Sequence, residues 1–223
     1  MQEGIRSRMR ALLTVGAALL ALTAVALPST ASATTATSGT GEHIQRESFM
    51  RYLYGLGFGG TITALSPATF STNTASYADD VVAYSFDGAN TTYDVTARAG
   101  RGTIAFTGGV RYQMAAHYID VSISDPRVVV SSPTQTNAVV SAVVSYDPLE
   151  TGTQVANPTT PTRIDLFRLD LSGVFGGLGG TTHTWTRAPA VLTADGANAF
   201  NGGTNGSYSD GSTFGYWNLS AGY

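Results

Sequence analysis

Cysteine and lysine are both absent from these 223 residues. Without cysteine there is no disulfide, no thiolate metal site and no thiol nucleophile. Without lysine there is no P-loop lysine, no Schiff base and no Ser–Lys dyad, because all 12 basic side chains are arginine. Histidine occurs only at His43, His117 and His183, in no metal-ligand spacing such as H-E-x-x-H. No G-x-S-x-G elbow is present. With neither nucleophile nor base in a working pattern, the chain is not expected to be an enzyme. The βαβ alternation that marks a parallel sheet is missing too.

What is present begins with an export signal. Arg6, Arg8 and Arg10 precede an apolar run from Ala11 to Leu27, then Pro28 and the small-residue site Ala31-Ser32-Ala33. Residues 1–33 therefore read as a signal peptide. The rival, a retained anchor, needs ~20 apolar residues, and this run is just shorter. No second apolar span follows, so after cleavage no membrane span is expected and the chain belongs outside the cytoplasm, secreted or in the cell envelope. From Thr34 onward nine arginines face fourteen carboxylates, a formal charge of −5. That balance argues against nucleic acid, which needs a basic surface.

Residues 34–41 are rich in Ser, Thr and Gly and read as a flexible lead. Residues 42–223 read as one domain, mainly β, an antiparallel sandwich or barrel with two short helices, one near each end. The first helix is expected over Ile44–Tyr54, with Thr40 as N-cap and Gly55 as a left-handed stop. Strands are expected at Thr61–Leu65, Asp80–Phe86, Thr91–Ala97, Gly102–Thr107 and Val110–Met114. The alternation from Ile119 to Ser124 marks a half-buried strand, broken at Asp125-Pro126 and resumed at Val128. Further strands are expected at Ala138–Tyr146, Arg163–Leu171 and Thr213–Leu219, with a strand pair over Thr182–Leu192 interrupted at Pro189. A phase change at Leu166-Phe167 signals a bulge. Thr193 caps a second short helix that ends at Phe200.

Gly55-Leu56-Gly57-Phe58-Gly59-Gly60 has the letters of a dinucleotide fingerprint. That motif must follow a strand and open a helix. Here a helix precedes and a strand follows, so it is a connector. Asp79-Asp80 reads as a solvated turn rather than a carboxylate pair. Ser48 and Tyr52, spaced i, i+4, share one side of the first helix with Phe49, Leu53 and Leu56 alongside. An aromatic at this spacing is usually core, but a buried phenol wants a partner. A polar pocket between helix and sheet is one reading of that side, and a sealed core is the other.

Three segments then resemble a known family. Glu47-Ser48-Phe49-Met50-Arg51-Tyr52-Leu53 opens the domain. Ile123-Ser124-Asp125-Pro126-Arg127-Val128 follows His117-Tyr118-Ile119-Asp120. Ala190-Val191-Leu192-Thr193-Ala194-Asp195-Gly196-Ala197-Asn198-Ala199-Phe200 lies near the end. Their order and spacing resemble the HtaA-type domain of actinobacterial secreted and cell-surface proteins, over about Glu42 to Leu219. The resemblance implies a β-rich haem-binding domain for haem-iron acquisition. It implies Tyr52 as axial ligand to ferric haem, His117 as hydrogen-bond partner of that tyrosine, and Ser48 and Tyr208 at the porphyrin edge. Ser207 stands where the family has Phe, and Ala115 where its histidine usually lies. Implied partners are haem or haem-carrying proteins, and a cell-envelope protein. The alternative is an envelope-binding module of the same fold without haem.

Overall fold

The computed structural model describes residues 33–73, 76–96, 100–117, 119–132, 137–147, 159–177, 180–202 and 207–223. The expected signal peptide lies almost wholly outside them. Twelve strands are described: β1 (Ser38–Ile44), β2 (Thr61–Leu65), β3 (Thr69–Ser71), β4 (Val81–Phe86), β5 (Gly102–Thr107), β6 (Gly109–Met114), β7 (Ile119–Val130), β8 (Asn137–Tyr146), β9 (Thr162–Asp170), β10 (Phe175–Gly176), β11 (Thr182–Leu192) and β12 (Thr213–Gly222). Two helices, α1 (Glu47–Met50) and α2 (Ala194–Phe200), complete the set, and α1 continues as a π-helical turn over Arg51–Gly55.

The mainly-β expectation holds, and its barrel form is the one adopted. Strands pair antiparallel in the order β7-β5-β4-β1-β12-β11-β9-β8, and β8 returns to β7 to close eight strands. Closure leaves no open edge in this ring. β7 is long enough to serve β5 and β6 as well as β8. Arg127–Val130 pair with β5, while Ile119–Ser124 pair with β6, which carries β2 outward from the ring. Alternation puts one row of each strand inside: Val121, Ile123, Val128 and Val130 of β7, and Ala138, Val140, Ala142 and Val144 of β8, are buried.

Aromatic rings fill much of the core. Phe49 of α1 meets Tyr112, Phe200 and Phe214 with ring centroids 5.2, 5.5 and 5.2 Å away. Burying such a ring contributes about 1.5–3 kcal/mol. His43 lies flat on Trp217, centroids 5.2 Å apart at 10°. Its Nε2 sits 3.0 Å from the carbonyl oxygen of Phe214. Burial with no counter-charge pushes this imidazole down to about 4.

Several local expectations are corrected. Residues 38–41 are not a flexible lead. They form the start of β1, held between β12 and β4. Thr40 is therefore a strand residue hydrogen-bonded to Ser220, and the helix begins at Glu47 with extended Arg46 as its N-cap. Gly41 fits because a Cβ there would stand 2.7 Å from the Phe106 ring. Left-handed backbone falls at Gly57 and Gly59, not at Gly55. Among the described residues, Thr91–Thr96 form no named strand, only isolated bridges from Asp94 to Thr35 and to Arg101. Backbone bonds still hold the segment, Thr92 N–H donating to the Thr103 carbonyl and Val95 N–H to the Thr34 carbonyl, both at 2.9 Å. Side chains add to them: Thr91 Oγ1 donates to the Asp87 carbonyl (2.8 Å), and the Asp94 carboxylate accepts from Thr96 N–H (2.9 Å). β7 runs through Asp125-Pro126 rather than breaking, with a register shift between Ser124 and Arg127. Proline lacks an N–H, and a bulge needs none at that point. Asp80 is fully buried, so the Asp79-Asp80 pair is not a solvated turn. The Asp80 carboxylate accepts from Asn73 N–H, while Asp79 faces out to Arg187.

Other expectations match the fold. The Gly55–Gly60 stretch connects helix to strand. The register of β8 against β9 shifts between Val140 and Ser141, opposite Leu166. Thr193 Oγ1 accepts from Gly196 N–H at 3.0 Å and caps α2.

Candidate functional site

The short helix divides its side chains between two surfaces. Phe49, Met50 and Leu53 are buried against the barrel core. Ser48 and Tyr52 face away from that stripe, and with Glu47, Arg51 and Leu56 they line an open groove of about 490 Å³. The apolar side therefore seals the core, while the groove on the other side is lined by the helix and the turn after it and not by the sheet. Its entry is anchored from below. Gln45, buried, accepts from the Tyr112 hydroxyl at 2.6 Å and donates to the His43 carbonyl at 3.0 Å. Its exit is packed tightly too: a Cβ on Gly60 would stand 2.3 Å from the Leu53 carbonyl oxygen, so only glycine lets the chain turn back so closely.

That return brings a second element to the groove. Thr61 of β2 pairs with Gln113 of β6, and Gln113 pairs with Asp120 of β7. The connector before β2 therefore lies beside the tip of the β6–β7 hairpin. The tip is a single 3₁₀ turn, Ala115–His117. It points His117 at the helix, where Nδ1 is hydrogen-bonded to the Tyr52 phenol oxygen. The two rings meet edge to face, centroids 5.1 Å apart at 88°. Phe58 lies on the imidazole from the connector, centroids 4.5 Å away. It is nonetheless 42% exposed, and Leu56 is 55% exposed. Two large apolar side chains left open beside a groove mark surface available to an apolar ligand.

Tyr208 comes from the opposite end of the chain. Asn201, just past α2, clamps its backbone: Nδ2 donates to the Tyr208 carbonyl (2.8 Å) and Oδ1 accepts from its N–H (3.1 Å). The ring packs on Phe200 and Phe214. The clamp returns Tyr208 to the helix despite the glycine-rich stretch at 203–206, which lies outside the described residues.

Arg46 links this side to the helix. Its guanidinium carbon is 5.7 Å from the Tyr208 ring centroid, and its Nε donates to Ser48 Oγ at 2.7 Å. Of the residues expected at a site, Tyr52 and His117 are in direct contact, Ser48 is one turn away on the same groove, and Tyr208 joins through Arg46. Leu56 was placed beside them from the sequence, whereas Arg46, Phe58 and Asn201 were not singled out.

The two phenols are both harder to ionise than free tyrosine. Partial burial raises Tyr52. Burial raises Tyr208 chiefly, with the nearby Tyr52 adding and Arg46 opposing. Neither is a phenolate at neutral pH without a cation to stabilise it. Among the described residues, no group of three or more His, Asp or Glu is placed to hold a bare metal ion. No helix among the described residues is long and apolar enough to cross a membrane.

The HtaA family model matches residues 45–216. Among solved structures, the N-terminal domain of HtaA from Corynebacterium glutamicum superposes with a TM-score of 0.65 at 20% identity, covering 85% of this chain and 98% of that one. The C-terminal domain of the same protein gives 0.59 at 17% identity, over 85% and 99%. The heme binding protein HtaB from that organism gives 0.58 at 18% identity, over 85% and 94%. At these identities the likeness establishes the shared fold. No curated protein sequence matches the chain.

Proposed function

This chain belongs to the HtaA family, and from that premise we propose that it binds ferric haem, with Tyr52 as the axial ligand to the iron. The observation that carries this reading is the Tyr52–His117 pair on an open, partly apolar groove. The donor chemistry fits the group. Bound ferric haem supplies a Lewis-acidic iron that favours a hard, anionic oxygen.

The residues then have distinct tasks. Tyr52 Oη must give up its proton, and Nδ1 of His117 is already bonded to that oxygen. The proton can pass to Nδ1, and the resulting N–H donates back to the phenolate. This steadies the anion and fixes the ring's direction. The fixed hairpin tip makes His117 a positioned partner rather than a mobile one. Leu56 and Phe58 offer the apolar surface, and Ser48 and Tyr208 the polar contacts at the macrocycle edge. Nothing in such a site requires turnover. It takes up haem and yields it to another protein, which is the role expected of an exported chain in haem-iron acquisition.

Hemin titration tests the reading. The mature chain should develop a Soret band and a ferric charge-transfer band, and Tyr52→Ala should lose both. A wild type that fails to respond, or a variant that responds equally, would overturn it.

A further inference from the structure

Arg46 precedes α1 in extended conformation, and with Ser48 it lines a second recess, toward Thr213 and Tyr216, next to the groove. Nε donates to Ser48 Oγ at 2.7 Å and Nη1 to the Thr213 carbonyl at 3.0 Å. The guanidinium also lies beside the Tyr208 ring, 5.7 Å from its centroid. Three elements thus fix it: the helix start, strand β12 and the loop after α2.

Yet among the described residues no carboxylate pairs with this charge. Arg51, Arg111, Arg168 and Arg187 each pair with one, and among the described residues Arg46 joins no ion pair. Glu47, its neighbour in sequence, is taken by Arg51 at 2.6 Å. The Ser48 hydroxyl accepts from Arg46, so its own proton remains available to donate outward. A held guanidinium and a hydroxyl donor side by side form a seat for a carboxylate.

We propose that Arg46 is the counter-ion for a carboxylate of the bound porphyrin, with Ser48 as its second donor. This rests on the haem reading for the identity of the ligand. Porphyrins of the haem type carry their two carboxylates on one edge. Moving such an edge off water without an opposite charge is unfavourable, and a charge-assisted bond offsets that cost. Arg46 therefore selects porphyrins with free acids and sets which edge meets the helix start. Lysine would keep the charge but lose the fork that holds Ser48 and Thr213 together.

The test uses metal-free protoporphyrin IX and its dimethyl ester, followed by porphyrin fluorescence, with hemin in parallel. The wild type should bind the acid about tenfold or more tightly than the ester. Arg46→Ala should abolish that preference by weakening the acid alone, and Arg46→Lys should keep part of it. A purely structural Arg46 would weaken acid and ester alike, which would overturn the proposal, as would a wild type indifferent to esterification. Failure of tyrosine ligation shows separately, as hemin and metal-free porphyrin binding with equal strength to the wild type.

Discussion

The phenol of Tyr52 and the imidazole of His117, 65 residues apart in sequence, are hydrogen-bonded Oη to Nδ1 with their ring planes at 88°. The phenol oxygen is tied while Tyr52 itself lines the open groove. The tie comes from a hairpin tip, and the oxygen from a helix, so neither can drift without the other.

This tie should show in affinity. Burial holds the Tyr52 phenol above its ordinary range, so ligation must displace a proton from it. In His117→Ala the phenol oxygen loses its hydrogen-bond partner, and hemin affinity at pH 7 should fall about tenfold. An affinity equal to the wild type's, from titrations of both proteins, would show that His117 has no part in ligation.

His43 makes a prediction about the fold instead of the site. Its folded-state value near 4 lies below the ordinary 6.5, because burial opposes the charged form. Below about pH 6.5 the unfolded chain binds a proton that the folded chain refuses. The contribution of this residue is therefore fully present above about pH 6.5, declines as pH falls toward 4, and is flat below. The loss amounts to roughly 3 kcal/mol. His43→Phe should flatten the fall in urea midpoint between pH 7 and 4.5. Part of the slope should remain, since burial also pushes His183 down.

The cap of α2 connects stability to the site. Thr193→Ala removes the bond to Gly196 N–H and should cost about 1 kcal/mol in denaturant melts. Phe200 and Asn201 at the far end of this helix seat Tyr208. Hemin affinity should therefore weaken a few-fold in the same variant. An unchanged affinity with the full stability loss would separate Tyr208 from the ligand.

Local signals in the sequence carried the fold far. The Thr193 cap and the phase change at Leu166 depend on residues next to them in the chain, so both were legible. The start of the first helix was not. Ser38–Ile44 holds Gly39 and Gly41, which look like a lead until β12 and β4 flank them. The site divides the same way. Tyr52 and Ser48 stand out because helical spacing is local, whereas Arg46 gains its position only through Thr213 of the last strand. Phe58 sits between two glycines and carries no pattern of its own. Its contact with His117 exists because β2 pairs with β6.

Phe58 supplies the last prediction. Its ring covers His117 at 4.5 Å while 42% of it stays exposed. Large-to-small changes cost most when a cavity is left in a closed core, and here solvent fills the space. Phe58→Ala should therefore shift the melting midpoint little. The imidazole, however, would lose this ring contact and gain freedom to rotate off the phenol. Gly57 and Gly59, both left-handed with open space around them, put nothing else in its place. Hemin dissociation should accelerate several-fold in Phe58→Ala, measured by transfer to an excess of apomyoglobin, and Phe58→Leu should restore much of the difference. If Phe58→Ala releases hemin at the wild-type rate, the connector has no part in holding His117 against Tyr52.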